Sequence, residues 1–302
     1  MESSESLADE SPQIAQPSQL PAGQPLSATQ ASEVLREIHA PIVMLAGAAK
    51  AGKTTLIASI HDAFQRGPFA GYLASGSHTL MGFEERCFDS RYRSGAKEPA
   101  TIRTRALEGS LYYHLKVREK DLQSPARQIL FLDMSGEHYE RMTDSESEAR
   151  RLAPLVHRAD HFVYLVNGAR LASLKFRSHT VSNASMLMRR LFESGLLDSS
   201  ARVDVLLTKW DLVQLAGPEI VREALSVADS LFPEKERARV ARFRITPVAA
   251  RPHFLSSLTP GYGLQELLRS WVEDLPKKLL IHSRTHSDER SGRLFDRFAL
   301  LV

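Results

Sequence analysis

The sequence predicts an α/β fold: a three-layer sandwich around a mostly parallel six-stranded sheet with one antiparallel edge strand, preceded by a disordered N-terminal tail. Three observations lead there. Short apolar runs alternate with amphipathic stretches along most of the chain, the pattern of strands joined by crossover helices. The first of these runs, Ile42 to Ala46, passes through a glycine-bounded loop straight into a helical stretch. Two later runs, LYYHLKV (111–117) and QILFL (128–132), are separated only by a polar hairpin loop, so they pair antiparallel.

Each element has its own reason. Residues 1–30 are rich in Ser, Pro, Gln and Ala and poor in large apolar groups. They cannot offset their ordering entropy and read as a disordered tail. Residues 31–276 read as a single domain. ASEVLREIH (31–39) predicts a short helix. Ile42 to Ala46 is long enough for one buried parallel strand. Lys53 to about Phe64 is a helix with Leu56, Ile57, Ile60 and Phe64 on its apolar face. Residues 66–110 interleave Gly, Ser, Arg and aromatics and read as one long loop, of a length that usually carries function. After the antiparallel pair come a helix over Ser145–His157, a strand over His161–Val166 and a helix over Val181–Phe192. A strand over Val203–Leu207 follows, then a helix opened by Pro218 at its first turn. A sixth strand over Arg244–Val248 precedes a helix marked by Leu264, Leu267, Leu268, Trp271, Val272 and Leu275, which Pro276 stops. Residues 277–302 form a basic, polar tail ending in Leu294, Phe295, Phe298, Leu300 and Leu301, expected to dock on the body.

Composition excludes several classes. Hydrophobic content of 43% and charged content of 25% are ordinary for a soluble globular protein. No window approaches eighteen apolar residues, so no membrane-spanning helix is expected. The acidic, polar start MESSESLADESPQ is unlike a secretory signal. One cysteine, Cys87, permits no internal disulfide and suits a reducing cytoplasm, where the chain is expected to reside. Residues 1–40 carry six acids and one base, a charge of −5, so the remainder carries +8 against the net +3. A basic body can bind nucleotide phosphates, RNA or an acidic partner, or simply present a mixed solvated surface. No aromatic-rich basic stripe of the kind that grips single-stranded nucleic acid is present, so nucleic acid is not an expected partner.

Chemistry concentrates in Gly47-Ala48-Ala49-Lys50-Ala51-Gly52-Lys53-Thr54, a G-x-x-x-x-G-K-[ST] phosphate loop followed by Thr55. Chance produces this pattern in about one chain in a hundred of this length, and the preceding strand and following helix make it rarer. Two glycines free the backbone so that loop N–H groups converge on phosphate oxygens, backed by a helix N-terminus. Lys53 is placed to reach the outer phosphates and the Thr54 hydroxyl to hold Mg²⁺. This is the signature of a P-loop NTPase.

Three further motifs end predicted strands. Asp133-x-x-Gly136 lies 80 residues beyond Lys53. A carboxylate there can hold the Mg²⁺ shell, and the Gly136 N–H can sense a γ-phosphate. Thr208-Lys209-Trp210-Asp211 suits guanine, whose N1–H and exocyclic amine both donate to one carboxylate while the Lys209 stem lies along the base. Strand ends of this kind are where open α/β sheets bind ligands. Val248-Ala249-Ala250-Arg251 ends the sixth strand, and the Ala250 N–H suits the guanine oxygen.

In this order, the four motifs resemble those of the guanine-nucleotide-binding (Ras-like, TRAFAC-type) GTPases, over about residues 40–276. The resemblance implies GTP and GDP as ligands, Mg²⁺, slow hydrolysis and two switch loops ordered by the γ-phosphate. It also implies an effector or activating protein. Within that class, SGSHTLMGFEER, DMSGEHYER, HRADHFVYLVNG and LLTKWDL look like bacterial double-GTPase proteins of multi-gene conflict or defence systems. Two departures matter. Many small GTPases have a Gln after the D-x-x-G glycine to orient water, and here it is Glu137, which accepts a proton but donates no hydrogen bond while ionised. His138 is the alternative. The switch-one threonine is one of Thr79, Thr101 and Thr104. Lys50 stands where some related GTPases carry an Asn that helps bind K⁺. It is a built-in catalytic cation, a solvated loop lysine, or a group reaching a neighbouring subunit's site. The reading is a GTPase switch; its rival is a GTP-binding scaffold that barely hydrolyses and recruits partners.

Overall fold

Five apolar residues, all buried, form β1 (Ile42–Ala46) at the middle of the sheet. Ile42, Met44 and Ala46 face one hydrophobic core and Val43 and Leu45 the other, so β1 is apolar on both sides because both sides are covered. The computed structural model describes residues 23–92, 110–121, 124–136 and 146–274. The remaining strands are β2 (Tyr72–Gly76), β3 (Leu111–Glu119), β4 (Arg127–Asp133), β5 (His161–Asn167), β6 (Arg202–Thr208) and β7 (Arg242–Pro247). Their order across the sheet is β2-β3-β4-β1-β5-β6-β7. The pairs from β4 through β7 are parallel, whereas β3 runs antiparallel to both β4 and β2.

Helices cover both faces. One core takes residues from α1 (Ala28–Glu37), α4 (Glu146–Arg158), α5 (Gly168–Ala172), α6 (Leu174–Glu193), α7 (Trp210–Leu215) and α8 (Pro218–Ser230). The other takes residues from α2 (Lys53–Arg66), α3 (Leu80–Tyr92) and α10 (Leu264–Glu273). A short α9 (Glu234–Arg237) precedes β7. In α10, Leu264, Leu267, Leu268, Trp271 and Val272 are buried at the i, i+3, i+4, i+7, i+8 spacing of a single helical face. This is the three-layer sandwich of a P-loop NTPase.

Three expectations need correction. The sheet has seven strands rather than six, because β2 and α3 form within residues 66–110, which read as loop. Strand β2 exposes three of its five residues and has no alternation to detect. Helix α3 buries Phe83 and Cys87 but leaves Leu80, Met81 and Phe88 exposed, so its sequence carries no clean apolar stripe. The tail read as disordered to residue 30 is already structured from Gly23. Leu26 bridges to Tyr112, and Ser27 caps α1 with a capping box completed by Gln30. Helix α6 also starts at Leu174 rather than near Val181, because its first turns are exposed. Glu137, His138, Thr101, Thr104 and the tail 277–302 lie outside the described residues.

Candidate nucleotide site

The phosphate loop leaves the end of β1 and enters α2 with little freedom. Gly47 has φ 151°, and a Cβ there would stand 2.7 Å from the Leu165 carbonyl oxygen on β5. Gly52, at φ 100°, is left-handed and caps α2 without a side chain. Between them the Ala51 N–H closes a turn on the Ala48 carbonyl at 3.1 Å. Lys50 is exposed and also left-handed, at φ 64°. Thr55 is half-buried in the first turn of α2.

Lys53 is buried, and an ammonium removed from water must find acceptors. Its Nζ donates to the Gly47 carbonyl at 2.7 Å and lies 3.4 Å from that of Ala48, so it is folded under the loop. Thr54 turns its hydroxyl towards the end of β4, where Oγ1 donates to Asp133 Oδ2 at 2.9 Å. Asp133 is the last residue of β4, in register with Leu45 of β1, and is fully buried. Three residues on, Gly136 rests on the loop itself: a Cβ there would come 2.7 Å from both the Ala49 N and Cα. The D-x-x-G segment is thereby in backbone contact with the phosphate loop, a position that admits no side chain.

The T-K-x-D element is tied to the same loop. Thr208, at the end of β6, uses its Oγ1 to donate to the Ala51 carbonyl at 2.8 Å, with the Val166 carbonyl at 3.2 Å. Lys209 follows in the left-handed region, φ 54° and ψ 39°, and is exposed. Trp210 is buried, and its N–H donates to the Val248 carbonyl at 3.1 Å, joining this element to the one after β7. Asp211 is buried as well, and its Oδ2 accepts from the His253 N–H at 2.8 Å. The Val248–Arg251 stretch is closed by an Ala249–Tyr262 bridge and by the Gly261 N–H donating to the Ala250 carbonyl at 3.1 Å. Arg251 reaches back to α2, with Nε 3.4 Å from Ser59 Oγ.

All four motifs therefore meet at the C-terminal ends of the parallel strands. Thr79 does not join them. It is fully buried on the outer edge of β3, where its Oγ1 accepts from the His114 N–H at 2.8 Å. Two contributors escaped the sequence reading. His253 orients the Asp211 carboxylate through its backbone, which no residue type announces. Asn167, in register with Thr208, caps α5 through the Arg170 N–H and points its amide at the Lys50 carbonyl at 3.5 Å. Its signal was present as an Asn-Gly step closing an apolar strand beside the phosphate-loop strand.

The donor set suits a nucleotide with Mg²⁺: a hydroxyl and a carboxylate in contact, a buried ammonium held on the carbonyls of the phosphate loop, and a loop whose approach leaves no space for side chains at Gly47 and Gly136. The Double-GTPase 2 family model matches residues 41–272, the whole span of the sheet and its covering helices from β1 to α10. The chain belongs to the Double-GTPase 2 family. No curated protein matches this Double-GTPase 2 chain. Solved structures similar to it include the signal recognition particle receptor SRb-GTP/SRX complex from Chaetomium thermophilum, at 18% identity and TM-score 0.42, covering 78% of this chain and 97% of that one. The GTP-bound Ski7 GTPase-like domain of S. cerevisiae is similar at 12% identity and TM-score 0.48, covering 85% of this chain and 53% of that one. Elongation factor SelB from Methanococcus maripaludis, in complex with the GTP analogue GPPNHP, is similar at 14% identity and TM-score 0.39, covering 84% of this chain and 35% of that one. The Double-GTPase 2 chain thus matches about half the length of the Ski7 chain and a third of SelB. At such identities these likenesses carry nothing about ligand or activity.

Proposed function

We propose that this Double-GTPase 2 chain is a guanine-nucleotide switch that binds GTP with Mg²⁺ and hydrolyses it to GDP and phosphate, within a bacterial multi-gene conflict system. The observation that carries the reading is the contact of the Thr54 hydroxyl with the Asp133 carboxylate beneath a loop that also holds Lys53. In the proposal the Thr54 hydroxyl holds Mg²⁺ and Asp133 holds its water shell. When bound, the ion neutralises charge on the β- and γ-phosphates. Lys53 moves its ammonium from the Gly47 carbonyl to the outer phosphates, and the N–H groups of residues 47–55 line them. Asp211, held by the His253 N–H, accepts from the guanine N1–H and amine. Lys209 lies along the base, with Ala250 and Arg251 beside the guanine oxygen. The Gly136 N–H meets the γ-phosphate, Glu137 takes the place next to the attacking water, and Lys50 stands at the loop's outer side as the cation for charge developing between the β- and γ-phosphates. An effector or activating protein completes the cycle.

Glu137 favours a second reading, a GTP-binding scaffold that recruits partners and hardly hydrolyses, because an ionised carboxylate cannot donate to phosphate. Single-turnover phosphate release from bound GTP, alone and with products of neighbouring genes, separates them. The switch reading predicts slow release that a partner accelerates. No release under any of these conditions, with GTP bound, would leave only the scaffold.

A further inference from the structure

Residues 23–26 tie together β3 and α3, which pack against the strand and the helix that carry the candidate phosphate site, β4 and α2. Leu26 is fully buried and exchanges both backbone hydrogen bonds with Tyr112, the second residue of β3, each at 2.9 Å. Three residues earlier, the Gly23 carbonyl accepts from the Gly82 N–H, in the first turn of α3, at 2.9 Å. Gln24 Nε2 donates to Glu85 Oε1 at 3.0 Å. The fit is close: a Cβ on Gly82 would stand 2.7 Å from the Pro25 ring, and one on Gly23 2.7 Å from Met81. Beyond the strap, the Ser27 capping box starts α1, whose Ala31 and Val34 are buried and anchor it to the body.

Both ends of the strap lead to the phosphate loop by short routes. Tyr112 pairs with Leu132, the neighbour of Asp133, whose carboxylate accepts from Thr54. Helix α3 lies on α2, the helix that the phosphate loop opens. His61 stacks on Phe83 at 4.9 Å, and Cys87 Sγ donates to the Ala58 carbonyl at 3.2 Å. The strap is also separable from the edge it closes. The next outward-facing backbone groups of β3, at His114, are met by Thr79 and Ser77 side chains, and Lys116 to Glu119 pair with β2. Removing residues 23–26 from Tyr112 therefore uncovers one bridge and leaves the rest of the edge paired.

We propose that residues 23–26 are a latch whose closure is linked to the guanine nucleotide at the phosphate loop. A ligand that shifts β4 or α2 changes the spacing of Tyr112 and Gly82, and the strap fits one spacing. By linkage, opening the latch must in turn change the relative affinities of the two nucleotides. The proposal rests on the GTP reading, and its test keeps the two apart.

The full chain is examined by hydrogen exchange with GDP and with a non-hydrolysable GTP analogue, reading the amides of Leu26 and Tyr112. Their protection is expected to differ between the two states by at least about fivefold. Gly82→Ala pushes on the Pro25 ring and, through it, on the buried Leu26 beside it, and it is expected to shift the ratio of GDP to analogue affinity by a similar factor. Leu26→Asp, which puts a charge in the buried position, should shift it in the same direction. Equal protection in both states, with an unchanged ratio in Gly82→Ala, would overturn the latch alone. If the wild-type chain bound neither nucleotide, the GTP reading would fall and take the latch with it.

Discussion

Thr54 donates its hydroxyl hydrogen to Asp133 across 2.9 Å, from the first turn of one helix to the last residue of a strand 79 positions away. Both side chains are buried, and a hydroxyl and a carboxylate held together at a sheet's C-terminal edge form a ready oxygen pair for a hard cation. Thr54→Ala and Asp133→Asn should each remove most of the Mg²⁺-dependent part of GTP affinity. The expected loss is about tenfold or more, ~1.4 kcal/mol, read by titration in Mg²⁺ and in EDTA. Affinity that stayed as Mg²⁺-dependent as in the wild type would remove the pair from the metal site.

Lys53→Ala should weaken GTP and GDP together. The ammonium is buried beside loop carbonyls, where its charge is poorly screened. Its loss should cost roughly 2–5 kcal/mol of binding, the range for removing one member of a desolvated charge pair. Calorimetry checks this, and an unchanged affinity would mean that the loop does not hold phosphates.

Asp211→Asn should shift preference from guanine towards xanthine nucleotides, because the amide can donate to xanthine's second carbonyl where the carboxylate needed guanine's amine. One unpaired buried polar group costs about 1–3 kcal/mol, so discrimination should change about ten- to a hundredfold. A variant that kept its full preference for GTP over XTP would show that Asp211 does not read the base.

Asp204 supports the fold from the other end of the sheet. It is fully buried and accepts from Trp271 Nε1 at 2.8 Å and from Arg244 Nε at 2.7 Å, joining β6, β7 and α10. Asp204→Ala leaves a buried indole N–H and a guanidinium without that acceptor, and should cost about 3–5 kcal/mol in urea unfolding. A midpoint within experimental error of wild type would contradict this.

His114 gives the fold a pH dependence. Its Nδ1 accepts from the His78 N–H at 3.0 Å, so the ring proton sits on Nε2, which meets Gln128 Oε1 at 2.9 Å. Burial is the main cause that lowers its pKa from 6.5 to about 4, outweighing the Gln128 bond that raises it. Between those values the unfolded chain binds the proton and the folded chain does not, so stability rises with pH there. The contribution is complete above about pH 6.5 and is lost as pH falls towards 4, roughly 3 kcal/mol in all. Denaturation midpoints from pH 7 to 4.5 should fall in wild type more steeply than in His114→Asn; parallel curves would refute the assignment.

Much of the fold could be read from residues alone because burial leaves periodicity. The five-residue run of β1 and the spacing of α10 carry it plainly, and the motif residues stand at strand ends where the chain has little choice of geometry. What escaped detection buries little. Strand β2 is an edge with most side chains exposed, α3 commits Phe83 and Cys87 to the core, and the N-terminal strap rests on a single leucine. At the site, the Thr208–Ala51 and Asp211–His253 contacts end on backbone groups, which any residue offers, so side-chain identity could not point to them.

A guanine-nucleotide site at these strand ends should select its ligand by base and depend on Mg²⁺. The most direct measurement is calorimetric titration of the full chain with GTP, GDP and ATP, each in Mg²⁺ and in EDTA. GTP and GDP should bind, chelation should weaken GTP, and ATP should bind at least about a hundredfold more weakly because adenine offers Asp211 no matching pair of N–H donors. Equal affinity for ATP and GTP, or no binding of either guanine nucleotide, would contradict the guanine-nucleotide reading.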